Sequence, residues 1–416
     1  MRGCSFIVKS LILSFLIFLS FSSYSQYFGQ NRPIYKTFNF KVHQSPHFEI
    51  YHYFENDSVV QELAQSAEQW YHMHQQVFGD TIKERNPIIF YKNHADFQQT
   101  TAILGTVGVG TGGVTEALKN RVIMPVTEGW AQTDHVLGHE LVHAFQFNSI
   151  LTKDSTNLNS LQNLPLWMVE GMAEYLSIGS VDPHTAMWMR DVVLNDNFPT
   201  LEMITRDQSY FPYRYGHAFW AFVGRTFGDS LIAPIFEETA KRGYEVALKR
   251  YLGLSEKEFS EIWKKTYVEH FKMMMKDTVD NPSGAEIIHK RNAGHINISP
   301  SISPDGKYVA FYSEKELFSI DLFLAETATG RTIHKLSSVI HNNEVDALNF
   351  IESAGAWSPD SEKFAFIGFS KGINKLLIVD GRQVQTEIEI PGVPAFNYPA
   401  WAPDGKSIVV SGLVKG

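Results

Sequence analysis

Residues 135–147 read HVLGHELVHAFQF. Val136, Leu137, Leu141, Ala144 and Phe145 recur at helical spacing, so the stretch predicts a packed helix. On that helix His139 and His143 stand four apart, project from one face and can converge on a single ion. Glu140 sits beside them, placed to reach a water molecule next to that ion. His135 lies one turn before His139, yet it cannot share a centre with His143. The two are about 12 Å apart along the axis, whereas a Zn–N bond is about 2 Å. His135 therefore reads as a structural or cleft-lining residue.

Two histidines are not a complete site. A catalytic zinc takes three protein ligands and keeps one position open. A second stretch, LPLWMVEGMAEYLS (164–177), offers the missing carboxylate. It is largely apolar and reads as a buried helix, yet it carries Glu170 and Glu174 four apart. Glu170 is the expected third ligand. Glu174, one turn on, would accept the other ring N–H of a zinc-bound histidine, His139 in preference to His143, and so fix its tautomer and orientation. The plain alternatives are a chance H-E-x-x-H and two solvent-facing glutamates. The company of Trp167, Met168, Met172, Tyr175 and Leu176 counts against them.

The totals agree with a folded, multidomain chain: 416 residues, 44% hydrophobic and 19% charged. A net charge of -9 without any Lys/Arg cluster argues against a nucleic-acid partner. Arg2 and Lys9 precede the apolar run LILSFLIFLSF (11–21), and small residues follow up to Ser25. This pattern predicts a signal peptide, residues 1–25, and export to the periplasm, cell surface or exterior. The run is short for a membrane span, so no stable span is expected after cleavage. Cys4, the single cysteine, precedes the run. The exported chain would hold no thiol, and a metal site must then use histidines and carboxylates.

Outward from the two helices, HFEIYHY (47–53) alternates as a strand, residues 58–79 form a long helical pattern, and PIIFY (87–91) reads as a second strand. RVIMPV (121–126) is a third, and Pro125 suits an edge position. The run Gly108–Gly113 satisfies G-x-G-x-x-G but leads back into a strand, so it reads as a loop near the cleft and not a dinucleotide site. Thr133 to about residue 271 is mostly helical, the last helix opening on a capping box, Ser255 to Glu258. A polar linker follows, 276–290. Thereafter a unit recurs: SPSISPDGKYVAFYS (299–313), GAWSPDSEKFAFIG (355–368) and YPAWAPDGKSIVVSG (398–412). Each pairs a Pro-Asp turn, marked by Asp305, Asp360 and Asp404, with an alternating strand. Such units predict propeller blades, and three of them make an incomplete propeller over 291–416.

HELVH followed by WMVEGMAEY resembles the gluzincin metallopeptidases, the peptidase-MA-like group related to thermolysin and the M1 aminopeptidases, over residues from about 45 to 275. The resemblance implies an α+β, thermolysin-like zincin domain (26–275), a small sheet plus a helical active-site subdomain, with Zn²⁺ as cofactor and Glu140 as general base. Val169-Glu170-Gly171 stands where the aminopeptidases carry N-E-G, which selects Glu170 over Glu174 as ligand. Tyr213-Arg214-Tyr215-Gly216 matches their Y-x-x-G, which gives Tyr213 the task of stabilising an oxyanion. From the residues alone Tyr210, Tyr215 and His217 are rivals, and a packing role for Tyr213 stays open.

Two departures stand out. The spacer between His143 and Glu170 holds 26 residues, 144–169, longer than is usual, and its polar part LTKDSTNLNSLQN reads as a surface loop. The aminopeptidase motif Gly-Ala-Met-Glu-Asn is missing, and Thr115-Glu116-Ala117 does not replace it, so endopeptidase action is at least as well supported. The C-terminal units resemble the TolB-type, WD40-like propeller repeat over about 295–416, which implies a face that binds a protein partner or substrate.

The expectation is an exported zinc metallopeptidase acting on a peptide or protein substrate, which could pair with the RVIMPV strand by β-addition. The alternative is a non-catalytic or single-substrate envelope protein, whose propeller binds a partner while the metallopeptidase domain serves as scaffold or dedicated processing module.

Overall fold

The computed structural model describes residues 34–103, 107–127, 129–151, 159–276, 284–316, 320–337, 347–351, 353–380 and 383–414. The expected signal peptide (1–25), residues 277–283 of the linker and residues 152–158 of the spacer lie outside the described residues.

The chain mixes helix and sheet. The first sheet has five strands, β1 (Lys41–Gln44), β2 (Phe48–His52), β3 (Asn86–Tyr91), β4 (Val114–Glu116) and β5 (Arg121–Pro125), in the order β1-β2-β3-β5-β4. β2, β3 and β5 run parallel, and β1 and β4 pair antiparallel at the two sides. A parallel neighbour needs a crossover, and helix α1 (Asp57–Phe78) supplies it between β2 and β3. Asn56 caps α1 by accepting the Ser58 N–H, and Gly79 ends it at φ 60°, a conformation that costs glycine little. Strand alternation sends Phe48, Ile50, Ile88, Phe90, Val122 and Met124 into one core with the helices. Tyr91 and Ile123 point to the other face, against Phe97 and Val107.

The structure corrects the expected edge. β5 lies inside the sheet, between β3 and β4, and three-residue β4 is the outer strand. Pro125 is tolerated there for a local reason. β4 reaches along β5 only as far as Ile123, so no β4 partner needs the N–H that Pro125 lacks. On the β3 side the Val126 N–H bonds Tyr91 O at 2.8 Å.

Among the described residues ten further α-helices follow: α2 (His94–Phe97), α3 (Trp130–Leu151), α4 (Asn159–Gln162), α5 (Leu166–Ile178), α6 (Pro183–Leu194), α7 (Leu201–Arg206), α8 (Pro212–Phe227), α9 (Ile232–Arg242), α10 (Tyr244–Leu252) and α11 (Glu256–Met274). The described end of the spacer is the short helix α4 rather than loop. α11 carries the expected capping box, Ser255 and Glu258 each bonding the other's backbone N–H. α5 and α8 cross at backbone contact. A Cβ on Gly171 would lie 2.1 Å from the Gly216 carbonyl carbon, and one on Gly216 would lie 1.8 Å from Trp167 O. That close crossing brings Glu170, beside Gly171, and Tyr213, about one turn before Gly216, to the same place. Among the described residues no helix is long and apolar enough to cross a membrane.

Among the described residues the C-terminal part holds three antiparallel sheets in succession. The first is β6 (Asn297–Ile302), β7 (Tyr308–Ser313), β8 (Asp321–Glu326) and β9 (Thr332–Ser337). The second contains β10 (Ala347–Leu348), β11 (Ala356–Trp357), β12 (Lys363–Ser370), β13 (Ile373–Asp380) and β14 (Gln383–Ile388); β15 (Ala395–Trp401) and β16 (Ile408–Leu413) form the third. Tyr312, Leu322 and Leu324 of the first share a core with Phe364, Phe366 and Leu377 of the second.

The repeated turn has a chemical cause. Asp305 Oδ1 accepts from Ser303 Oγ and Lys307 N, and Asp360 Oδ1 accepts from Ser358 Oγ and Glu362 N. Asp404 keeps the bond from Lys406 N. Trp357 Nε1 donates to Ser301 O of the sheet before it, and Trp401 Nε1 repeats this to Ala356 O. Among the described residues no sheet closes into a barrel. The β12–β13 turn meets the N-terminal part, where Lys36 Nζ donates to Gly372 O at 3.2 Å.

Candidate metal centre

α3 is buried on most sides, because it lies between the sheet, α1 and α5. Polar groups on such a helix need partners. His139, Glu140 and His143 are all buried; the two histidines find theirs on α3 and α5, and Glu140 finds its partner on the sheet.

Three atoms form a nearly equilateral triangle. His139 Nε2 lies 3.2 Å from His143 Nε2, and each lies 3.3 Å from Glu170 Oε2. Four ligands about 2.0 Å from a zinc at tetrahedral corners stand ~3.3 Å apart. The triangle therefore has the dimensions of one face of such a tetrahedron, with the fourth corner left over.

The rest of each ring explains why its Nε2 is bare. Gln146 donates Nε2–H to Val169 O at 3.0 Å, which turns its Oε1 to His143 Nδ1 at 2.8 Å. Only a protonated Nδ1 suits that acceptor. Glu174 Oε1 lies 3.0 Å from His139 Nδ1, off the N–H axis but close enough to hold the proton there. With both protons on Nδ1, two ring lone pairs and a carboxylate oxygen meet at one point. Three acceptors require a cation between them, and their types suit zinc. Without an ion a proton must serve. Burial opposes charging His139, but Glu170, Glu174 and Glu140 outweigh it and push its pKa up to about 10. Burial would raise Glu170 too, yet the two histidines hold it well below the usual carboxylate range.

Glu174 behaves as a hub. Besides His139 it meets His135 Nε2 at 3.5 Å and Arg214 Nη1 at 2.9 Å, and Arg214 continues to Asp182 at 3.1 Å. His135, His139 and Glu174 could also surround an ion. The guanidinium already neutralises Glu174 there, which favours the triangle on the Nε2 side. His135 stays outside that triangle.

Glu140 is fixed from the sheet. Thr115 Oγ1, on outer strand β4, donates to Glu140 Oε2 at 2.7 Å and lies 2.9 Å from its backbone carbonyl. The preceding Gly113 lies over the same side chain, where a Cβ would come within 2.8 Å of Oε1. Glu116 is engaged with Arg121 on β5.

Among the aromatic candidates, Tyr213 is the one at the centre. Its ring stacks on His139 at 5.9 Å and 15°. Burial, and then the charges of Glu170 and Glu140, push its phenol pKa up, so it stays protonated and able to donate. Tyr215 packs in the core on Trp188 and Tyr210. His217 meets Gly179 O at 2.8 Å and pins α8 to the end of α5.

Gln146, Thr115 and Arg214 escaped the sequence reading. Gln146 had a usable signal, since it follows His143 by three residues on the same helix. Arg214 stood inside the quoted Y-x-x-G. Thr115 comes from a strand 25 residues before Glu140 and carries no local pattern.

No family model matches the sequence, and no curated protein matches it. Among solved structures, part of the chain is similar to TolB from Acinetobacter baumannii, with 20% identity and a TM-score of 0.23 over 28% of this chain and 26% of that one. The match thus spans about a quarter of that protein's length, and it is too slight to assign a fold.

Proposed function

We propose that the chain is an exported zinc-dependent metallopeptidase with a thermolysin-like, gluzincin-type catalytic domain, followed by TolB-type propeller blades that bind a protein partner or the substrate. One observation carries the reading: three acceptor atoms, 3.2–3.3 Å apart, converge beside a buried carboxylate that is no part of their triangle.

His139, His143 and Glu170 would hold the ion. A zinc ion held by them would supply Lewis acidity, which would bring the pKa of a bound water towards neutrality. Glu140 is the general base: it takes the proton of the attacking water on its carboxylate and returns it to the leaving amine. Thr115 holds that carboxylate by Oε2, leaving Oε1 for the proton. Glu174 and Gln146 keep both histidines protonated at Nδ1, so that Nε2 stays free. Tyr213 donates a hydrogen bond from its phenolic O–H to the developing oxyanion and keeps its proton. An extended peptide pairing by β-addition would lie along β4, the outer strand, rather than along β5 as the sequence suggested.

Digestion of a peptide library, followed by mass spectrometry, tests this. The zinc-loaded chain should cut and the Glu140→Gln variant should not, and the cut positions separate endopeptidase from aminopeptidase action. Equal cleavage by both removes Glu140 as the base, and cleavage by neither with zinc bound removes the general peptidase in favour of a binding or single-substrate role.

A further inference from the structure

A second group of ligating side chains lies away from this centre. Glu68 and His72 stand one turn apart on α1, and the turn between β1 and β2 lowers His47 onto them. Ligand atoms of the three lie within 4.8 Å of one another. His47 Nδ1 is 2.6 Å from Glu68 Oε2, a hydrogen bond that an entering ion would replace, moving the two atoms to ~3.3 Å apart. The His47 and His72 rings meet edge to face at 5.4 Å and 88°, much as His139 and His143 do at 4.9 Å and 80°.

The group is built rather than adventitious. His47 lies flat on Tyr71, with centroids 3.8 Å apart and planes at 15°, and Tyr71 is fully buried. That stacking fixes the plane of the imidazole. Glu68 Oε1 is occupied by the turn, accepting from Ser45 Oγ at 2.5 Å and from His47 N at 2.9 Å. Oε2 is thereby held towards the histidines. His72 is exposed, and the other two are partly buried, so a fourth position opens to solvent. A simple turn anchor would explain His47 and Glu68 but leaves His72 without a task.

We propose that His47, Glu68 and His72 form a second divalent-metal site that ties the β1–β2 turn to α1. Two imidazoles and one carboxylate suit zinc better than magnesium or calcium, which prefer all-oxygen shells. The proposal goes beyond the peptidase reading and does not rest on it.

The test is zinc content of the purified chain after dialysis against buffered zinc, for wild type, His72→Ala, Glu170→Ala and the double variant. The expected values are about two, one, one and zero zinc ions per chain, each site taking one ion. His72 is on the surface, so its replacement leaves the core intact, and Glu68→Gln provides an independent second removal. Zinc content unchanged by His72→Ala in both the parent and the Glu170→Ala background overturns the second site. Zinc content unchanged by Glu170→Ala alone overturns the catalytic centre and leaves the second site standing.

Discussion

The Nε2 atoms of His139 and His143 face each other at 3.2 Å, while the Nδ1 atoms of both rings face acceptors. Neither Nε2 can donate to the other in that state, so the contact holds only with positive charge between them. Metal and proton compete for one place. Zinc binding should therefore release protons, and affinity should fall by about tenfold per pH unit for each proton displaced. Calorimetric titrations in buffers of different ionisation enthalpy measure this. Binding without proton release would mean that the rings already stand neutral.

Glu140→Gln should retain zinc and lose about 10²–10⁴ in kcat, the usual worth of a positioned general base. Thr115→Val keeps the base but removes its hydrogen bond. A bond to a charged group is worth about 1.5–3 kcal/mol, so a fall in kcat of about tenfold or more is expected with zinc affinity unchanged. Thr115→Ser should restore much of it. Equal losses in the Val and Ser variants would make Thr115 a packing residue only.

Gln146→Leu should weaken zinc binding by about 10–100-fold, as loss of a group that orients a ligating histidine does. It also removes the Gln146 hydrogen bond to Val169 O, at about 0.5–1.5 kcal/mol of stability. Zinc affinity by competition with a chelator, and urea unfolding, read the two effects separately.

Gly171→Ala places a methyl 2.1 Å from the backbone of α8. Backbone cannot yield as a side-chain tip does, so the cost should reach the upper end of ~1–3 kcal/mol or exceed it. Because Glu170 and Tyr213 flank the crossing, zinc affinity should fall with stability. A stable variant with full affinity would show that the helices do not touch there.

Asp182 caps α6 and pairs with Arg214. Burial would raise its pKa, but the Thr185 bonds and the Arg214 charge hold it below its ordinary value. Its contribution is therefore full above about 3.9, the unfolded value, and is lost as pH falls through the lower folded one. Asp182→Asn should destabilise the chain at neutral pH and narrow its gap to wild type in acid. A gap that stays constant from neutral pH into acid would show that the charge is not what stabilises.

The helices that form the centre were legible because helical spacing is rigid: residues four apart share a face, so HELVH and EGMAE declared their chemistry locally. What escaped reading came from contacts across elements. β4 has only three residues, too few to show alternation, and without it Pro125 pointed to the wrong edge. Thr115 reaches Glu140 from that unseen strand. Arg214 joins Glu174 to Asp182 only because Gly171 and Gly216 let two helices meet at their backbones.

The central claim meets its most direct test in an anomalous difference map from a zinc-soaked crystal, recorded at the zinc edge. The account predicts a peak about 2.0–2.2 Å from His139 Nε2, His143 Nε2 and Glu170 Oε2 together. No peak at that point, or a peak on the Nδ1 side among His135, His139 and Glu174, would contradict it.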